Sequence, residues 1–135
     1  MYASITQGLK RAAQINRAGT ATIFGERRRT WSALAERVPR FAAALRALGL
    51  GEGGRVAILA LNSDDYLELH YATVWAGGLM VPINTRLAAA EVSYILRDST
   101  PDIVIADEHC APLLAQSLPA ATKRKCMRLA HPLKR

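Results

Sequence analysis

The chain has 135 residues, half of them apolar, with a mean hydropathy of +0.05. That is enough for one domain with a real core, and it excludes a disordered chain; no apolar run approaches the roughly 20 residues needed to span a bilayer. The net charge of +7 is local: residues 1–119 hold 12 Lys and Arg against 11 Asp and Glu, whereas residues 120–135 hold six basic residues and no acid.

The first predicted element is an amphipathic helix over Ser4 to Asn16, with Ile5, Leu9 and Ala12 or Ala13 at helical spacing. Lys10, Arg11 and Arg17 precede the first acid, Glu26, which imitates a mitochondrial leader. The helical spacing reads instead as an ordinary surface helix. Thr20 to Phe24, a turn at Gly25-Glu26, and Arg28 to Trp31 predict a small hairpin. Thr30 or Ser32 then caps a helix whose Leu34, Val38, Phe41, Ala42, Leu45 and Leu48 share one face. Pro39 lies inside it and is expected to bend the helix rather than divide it. Gly49 is its expected left-handed terminator.

A repeating pattern follows. Arg55 to Leu61, Leu79 to Ile83 and Asp102 to Ala106 are continuous apolar runs of strand length. Asn62-Ser63-Asp64-Asp65 caps a helix with Leu67, Tyr71, Val74 and Trp75 on its expected apolar face, closed by Gly77-Gly78. Ala88 to Asp98 is a second helix, carrying Val92, Ile95 and Leu96. Apolar strands joined by single helices imply parallel pairing with both faces covered. The fold class is therefore α/β, a parallel βαβαβ unit preceded by a helix and a small hairpin. Pro82 donates no hydrogen bond and is expected at a strand end or bulge. Cys110, Leu113, Leu114 and Ser117 suggest one more helix. From Thr122 onward no apolar periodicity or strand signal is visible. Residues 1–119 thus read as the domain and 120–135 as an unstructured basic tail. Its Lys123, Arg124, Lys125, Arg128, Lys134 and Arg135 have no interleaved aromatic residue, which argues against a nucleic-acid face.

The residues offer little chemistry. Gly49, Gly51 and Gly54 satisfy G-x-G-x-x-G, but they follow a helix and precede a strand. A dinucleotide site needs the opposite order, so that a helix amino terminus faces the phosphates. The glycines read as a cap and turn. Asp64-Asp65 reads as a helix-start charge pair rather than a catalytic dyad. Asp107, Glu108, His109 and Cys110 are adjacent but point apart, and His70 and His131 lie elsewhere. Cys110 and Cys126 match no zinc or disulfide framework, as in a reduced cytoplasmic protein. The expected catalytic, cofactor-binding and metal residues of this chain are accordingly none.

The order of segments nevertheless resembles the adenylate-forming, AMP-binding enzymes, which include the acyl-CoA synthetases. Thr30-Trp31-Ser32-Ala33-Leu34 is similar to their opening Thr-Tyr-x-Glu-Leu segment. The helix to Leu48, followed by Gly49 to Ala57, is similar to their LraLGvkpGdrVai stretch. Asn62-Ser63, Ala76 to Asn84, Thr85-Arg86-Leu87 and Ala90 to Ser99 continue the series. Ala33 departs from the usual acid, and Pro39 from a polar helix former. The resemblance covers most of residues 20–118 and implies part of the large amino-terminal domain of these enzymes.

The resemblance also implies an activity: ATP activates a carboxylate as an acyl-adenylate, which then passes commonly to CoA. Mg, ATP and CoA are implied for a full-length member. The family's phosphate loop, Tyr-Gly-x-Thr-Glu segment, ribose-binding Asp and mobile Lys all come after the matched region. No catalytic residue transfers to this chain. It reads as a truncated piece, inactive alone, poorly soluble and in need of the rest of the domain. The alternative is a standalone interaction module whose basic tail binds an acidic partner. A small nucleotide-binding α/β protein is disfavoured by the misplaced glycines.

Overall fold

The computed structural model describes residues 5–118 and 125–129. Helix α1 (Ile5–Ile15) leads into the hairpin β1 (Thr20–Phe24) and β2 (Arg27–Thr30), with Gly25 at φ +59° in the turn. Helix α2 (Trp31–Ala47) follows, capped by Thr30, whose Oγ1 accepts from the Ala33 amide at 3.2 Å. Trp31 therefore opens the helix and does not extend the strand. Pro39 is accommodated within one continuous helix, and Leu34, Val38, Ala42 and Leu45 form its buried stripe. At its end Gly49 takes φ +94°; its amide donates to the Arg46 carbonyl and the Leu50 amide to the Leu45 carbonyl. These paired bonds satisfy carbonyls that the helix leaves open.

Strands β3 (Arg55–Leu59), β4 (Leu79–Pro82) and β5 (Ile103–Asp107) alternate with α3 (Asp64–Trp75) and α4 (Ala89–Ser99), and α5 (Ala111–Ser117) follows. The strands pair in parallel, as the apolar runs imply. Pro82 ends β4, which is an edge strand. The Leu79 and Ile83 amides face β3, donating to the Gly54 and Ile58 carbonyls, so the ring nitrogen of Pro82 faces the open edge. There its missing N–H costs no ladder bond.

The tail differs from expectation. Lys125–Leu129 forms β6, parallel to β5, in a sheet of order β4-β3-β5-β6. These five residues are not unstructured, although no strand signal is visible from Thr122 onward. The side chains of β6 are mostly exposed, so no apolar run announces it. Backbone pairing to β5 makes the strand, and Lys125 Nζ adds a hydrogen bond to the Leu48 carbonyl at the end of α2. The rest of the 120–135 tail lies outside the described residues.

The sheet separates two cores. Val56, Ile58, Ile103 and Ile105 face α1, α2 and α3. Ala57, Leu59, Val104 and Ala106 face α4 and α5. Every other residue of β3 and β5 thus enters a different core, which explains their unbroken apolar runs. The expected apolar face of α3 is only partly correct. Leu67 is 40 % exposed, whereas Asp64, Asp65, Glu68, Leu69 and Ala72 are buried. Arginines from neighbouring elements permit this, because they neutralise acids that would otherwise face water.

The glycine bend is packing, not a phosphate cradle. A Cβ on Gly54 would lie 2.9 Å from the Gly51 carbonyl oxygen and 2.8 Å from Leu50 Cδ1. Gly54→Ala is expected to destabilise the fold by about 1–3 kcal/mol, as overpacking does. Urea denaturation measures it; an unchanged midpoint would show that the bend has room to spare.

Candidate functional site

Three places in the fold are candidates. The first is the crevice at the carboxyl ends of β3 and β5. The chain runs from β3 to β4 on one side, then returns to β5 on the other. In open α/β sheets such a reversal is where ligands bind. Here it is a cavity of about 390 Å³ lined in part by Phe24, Asn62, Ser63, Asp107, Glu108 and His109. Its polar groups largely serve the backbone. Asp107 accepts from the Leu61 amide at 2.8 Å and the Cys110 amide at 2.7 Å. Ser63 Oγ accepts from the Tyr66 amide at 3.0 Å, capping α3. His109 is exposed and His70 is half-buried on α3; His131 lies outside the described residues. Among the described residues no three His, Cys, Asp or Glu side chains converge to hold a metal.

Cys110 is buried beside Asp107. Burial, then the Asp107 carboxylate, pushes its thiol up to about 12. It is therefore a poor nucleophile at neutral pH. Cys126 on β6 is exposed. A maleimide titration of the folded chain is expected to find one fast thiol, and mass mapping should place it at Cys126. Equal rates at both cysteines would contradict the packing of α5 against the sheet.

The second candidate is an ion cluster. Arg27 and Arg29 alternate onto one face of β2, and Arg37 projects from α2. Asp64 and Glu68 stand one turn apart on α3, with Asp65 beside them. Arg29 bridges Glu68 at 2.7 Å, Asp65 at 2.8 Å and Asp64 at 3.3 Å. Arg37 donates from Nε to Glu68 at 2.7 Å. Arg27 pairs with Asp64, and with Asp65 at 3.1 Å. Burial alone would raise the Asp64 carboxyl, but its hydrogen bond from Arg27 and the charges of both arginines lower it overall. Glu68, with no exposed side-chain surface, is raised because burial outweighs Arg37 and Arg29. The Asp64-Asp65 pair is thus part of a clamp between the hairpin and α3. Each of its carboxylates is paired with an arginine, and Asp65 also lines the groove beside it.

The third is a groove of about 510 Å³ beside that clamp, between α2 and β6. Phe41, Ala44, Leu48, Ile105, Met127 and Leu129 contribute to its walls, with Arg27, Arg29 and Arg37 at one end. Among the described residues, the nucleophiles near bases are not poised for attack: Ser63 Oγ caps α3, and the Cys110 thiol beside Asp107 is buried and stays protonated at neutral pH. Among the described residues, no helix is long and apolar enough to cross a membrane.

Comparison with known proteins gives a consistent picture. The family profile described as AMP-binding enzyme matches residues 9–134. A peroxisomal butyrate–CoA ligase of Arabidopsis thaliana is 37 % identical over 110 residues, 82 % of this chain and 19 % of that protein. A long-chain-fatty-acid–CoA ligase of Mycobacterium tuberculosis is 42 % identical over 99 residues, 70 % of this chain and 20 % of its own length. A solved fatty acyl CoA synthetase from Mycobacterium tuberculosis superposes with a TM-score of 0.82 at 35 % identity, over 90 % of this chain and 25 % of that one. The chain spans about a fifth of the length of these curated relatives.

Proposed function

This chain belongs to the AMP-binding enzyme family, and we propose that it is scaffold from the leading part of an AMP-forming acyl-CoA ligase. The observation that carries this is its likeness to ligases that join carboxylic acids to CoA. In this reading the complete enzyme uses ATP, Mg and CoA on a carboxylic acid, in fatty acid metabolism. Residues 9–129 build the first strands and covering helices of its large domain. The free thiols support a reducing compartment, and we place the protein in the cytoplasm.

The residues described do not fit ATP and Mg by themselves. Asp64, Asp65 and Glu68 are held by arginines and Asp107 by backbone amides, and Gly54 closes its bend against the Leu50 side chain and the Gly51 carbonyl. No catalytic step is assigned to them, and the chain alone is proposed to be inactive. Carboxylate-dependent ATP–pyrophosphate exchange on the purified chain tests this, alongside equilibrium binding of ATP. Exchange at the blank rate with no saturable ATP binding is expected. Acyl-adenylate formed by the isolated chain would overturn the scaffold reading.

A further inference from the structure

The hairpin forms a two-stranded sheet of its own, apart from the four-stranded one. None of the described residues 20–30 is buried. Among them, Ala21 alone packs against an apolar core. The attachment to α3 is made of charge instead. Arg27 and Arg29 reach Asp64, Asp65 and Glu68, and Arg37 of α2 completes a balanced set of three cations and three anions. Arg128 of β6 lines the groove beside them. The base of the hairpin is tied down separately. The Trp31 amide donates to the Gly19 carbonyl at 3.0 Å, and the Ser32 amide to the Arg17 carbonyl at 3.1 Å.

Three features make the contact with α3 separable from the rest of the fold. The hairpin covers carboxylates, and water hydrates these on exposure as it does not hydrate an apolar core. Glu68 keeps a partner when the hairpin leaves, because Arg37 Nε donates to it from α2 at 2.7 Å. The contact is also incompletely satisfied. Thr22 Oγ1, Arg27 Nε and Asp64 Oδ2 are buried without a hydrogen bond among the described residues, and Arg29 stands 3.3 Å from that Asp64 oxygen. Opening lets water reach all three atoms.

We propose that the β1–β2 hairpin is a charge-latched flap, hinged at Gly19 and Thr30, which opens while the two-core body stays folded. Phe24 is part of the crevice wall at the carboxyl ends of β3 and β5, so that wall moves with the flap. A lone two-stranded hairpin is marginal in water, and its ladder is lost on opening. Acid releases the latch. Against burial, the hydrogen bond from Arg27 and the charges of both arginines hold the Asp64 carboxyl below its ordinary range. Its contribution to closure is therefore present above the ordinary value and lost as pH falls through the lowered one. Glu68 is raised by burial and takes its proton first, which favours the closed form, so release waits for Asp64.

Native-state hydrogen exchange of the full chain, read by mass on segments 21–29 and 103–107, tests the flap. Protection in 21–29 is expected to be about tenfold or more below that in 103–107. Ile58→Val weakens a core that the closed and open forms share. It should lower protection in 103–107 by about threefold to tenfold and leave 21–29 unchanged. Asp64→Asn should lower protection in 21–29 by about tenfold or more. Arg28→Gln, at an exposed position of β2, should not. In acid, 21–29 should lose protection while 103–107 keeps it. Equal losses in the two segments of Ile58→Val, or a hairpin indifferent to Asp64→Asn, would overturn the flap. So would a wild type protected in neither segment. Simultaneous loss of both segments in acid would overturn the latch's release.

Discussion

Glu68→Ala is expected to destabilise the fold by about 3 kcal/mol, the low end of the cost of breaking a buried ion pair. Glu68 has no exposed side-chain surface and accepts from both Arg29 and Arg37. Its removal leaves Arg29, only 10 % exposed, short of one carboxylate. Arg37 is more exposed and recovers hydration, which keeps the loss from being larger. The pH dependence should separate the two acids. Asp64 is lowered in the folded state, so its stabilisation is present above its unfolded value and lost as pH falls through the folded one. Glu68 is raised, so the folded state gains a proton first as pH falls from neutral. Stability should therefore hold or rise slightly down to the ordinary carboxylate range, then fall. In Glu68→Gln the rise should vanish and the later loss remain. Urea midpoints across pH measure both; a monotonic fall from neutral pH in the wild type would show that the clamp is wrongly described.

Ile58→Ala is expected to cost about 2–5 kcal/mol, as large-to-small changes in a packed core do. Ile58 is fully buried on β3, between β4 and β5, beneath the α1, α2 and α3 layer. Against a typical total of about 5–15 kcal/mol, this is a large fraction. Ile23, 58 % exposed on β1, is the contrast: its alanine variant should stay within about 0.5 kcal/mol of the wild type. Denaturant melts of both variants test the layered core directly. Equal losses at the two sites would contradict it.

The strands buried on both faces were legible because their apolar runs and helical intervals admit few other arrangements. Val56 to Leu59 and Ile103 to Ala106 are examples. Gly49 was legible because a helix end with a glycine has a specific backbone solution. Strand β6 was not, because an exposed edge strand is held by backbone pairing and carries Lys125 and Arg128 as readily as valines. The face of α3 was misjudged at Leu67 for a related reason. Charged residues suggest the solvent side unless their partners are known, and Glu68 meets Arg37 and Arg29 across 31 and 39 positions. The local signs of the clamp were present: Arg27 and Arg29 share a strand face, and Asp64 and Glu68 a helix face. Only the tertiary fold brings those faces together. The groove was less legible still, since it is set by where two layers stop.

The most direct measurement of the scaffold assignment is a chimera in which the matching residues of this chain replace the 99-residue matched segment of the Mycobacterium tuberculosis ligase. Carboxylate-dependent ATP–pyrophosphate exchange is measured after its thermal melt shows a cooperative fold. Exchange by the folded chimera is the expected result. A cooperatively folded chimera that binds ATP yet exchanges no pyrophosphate would contradict the account.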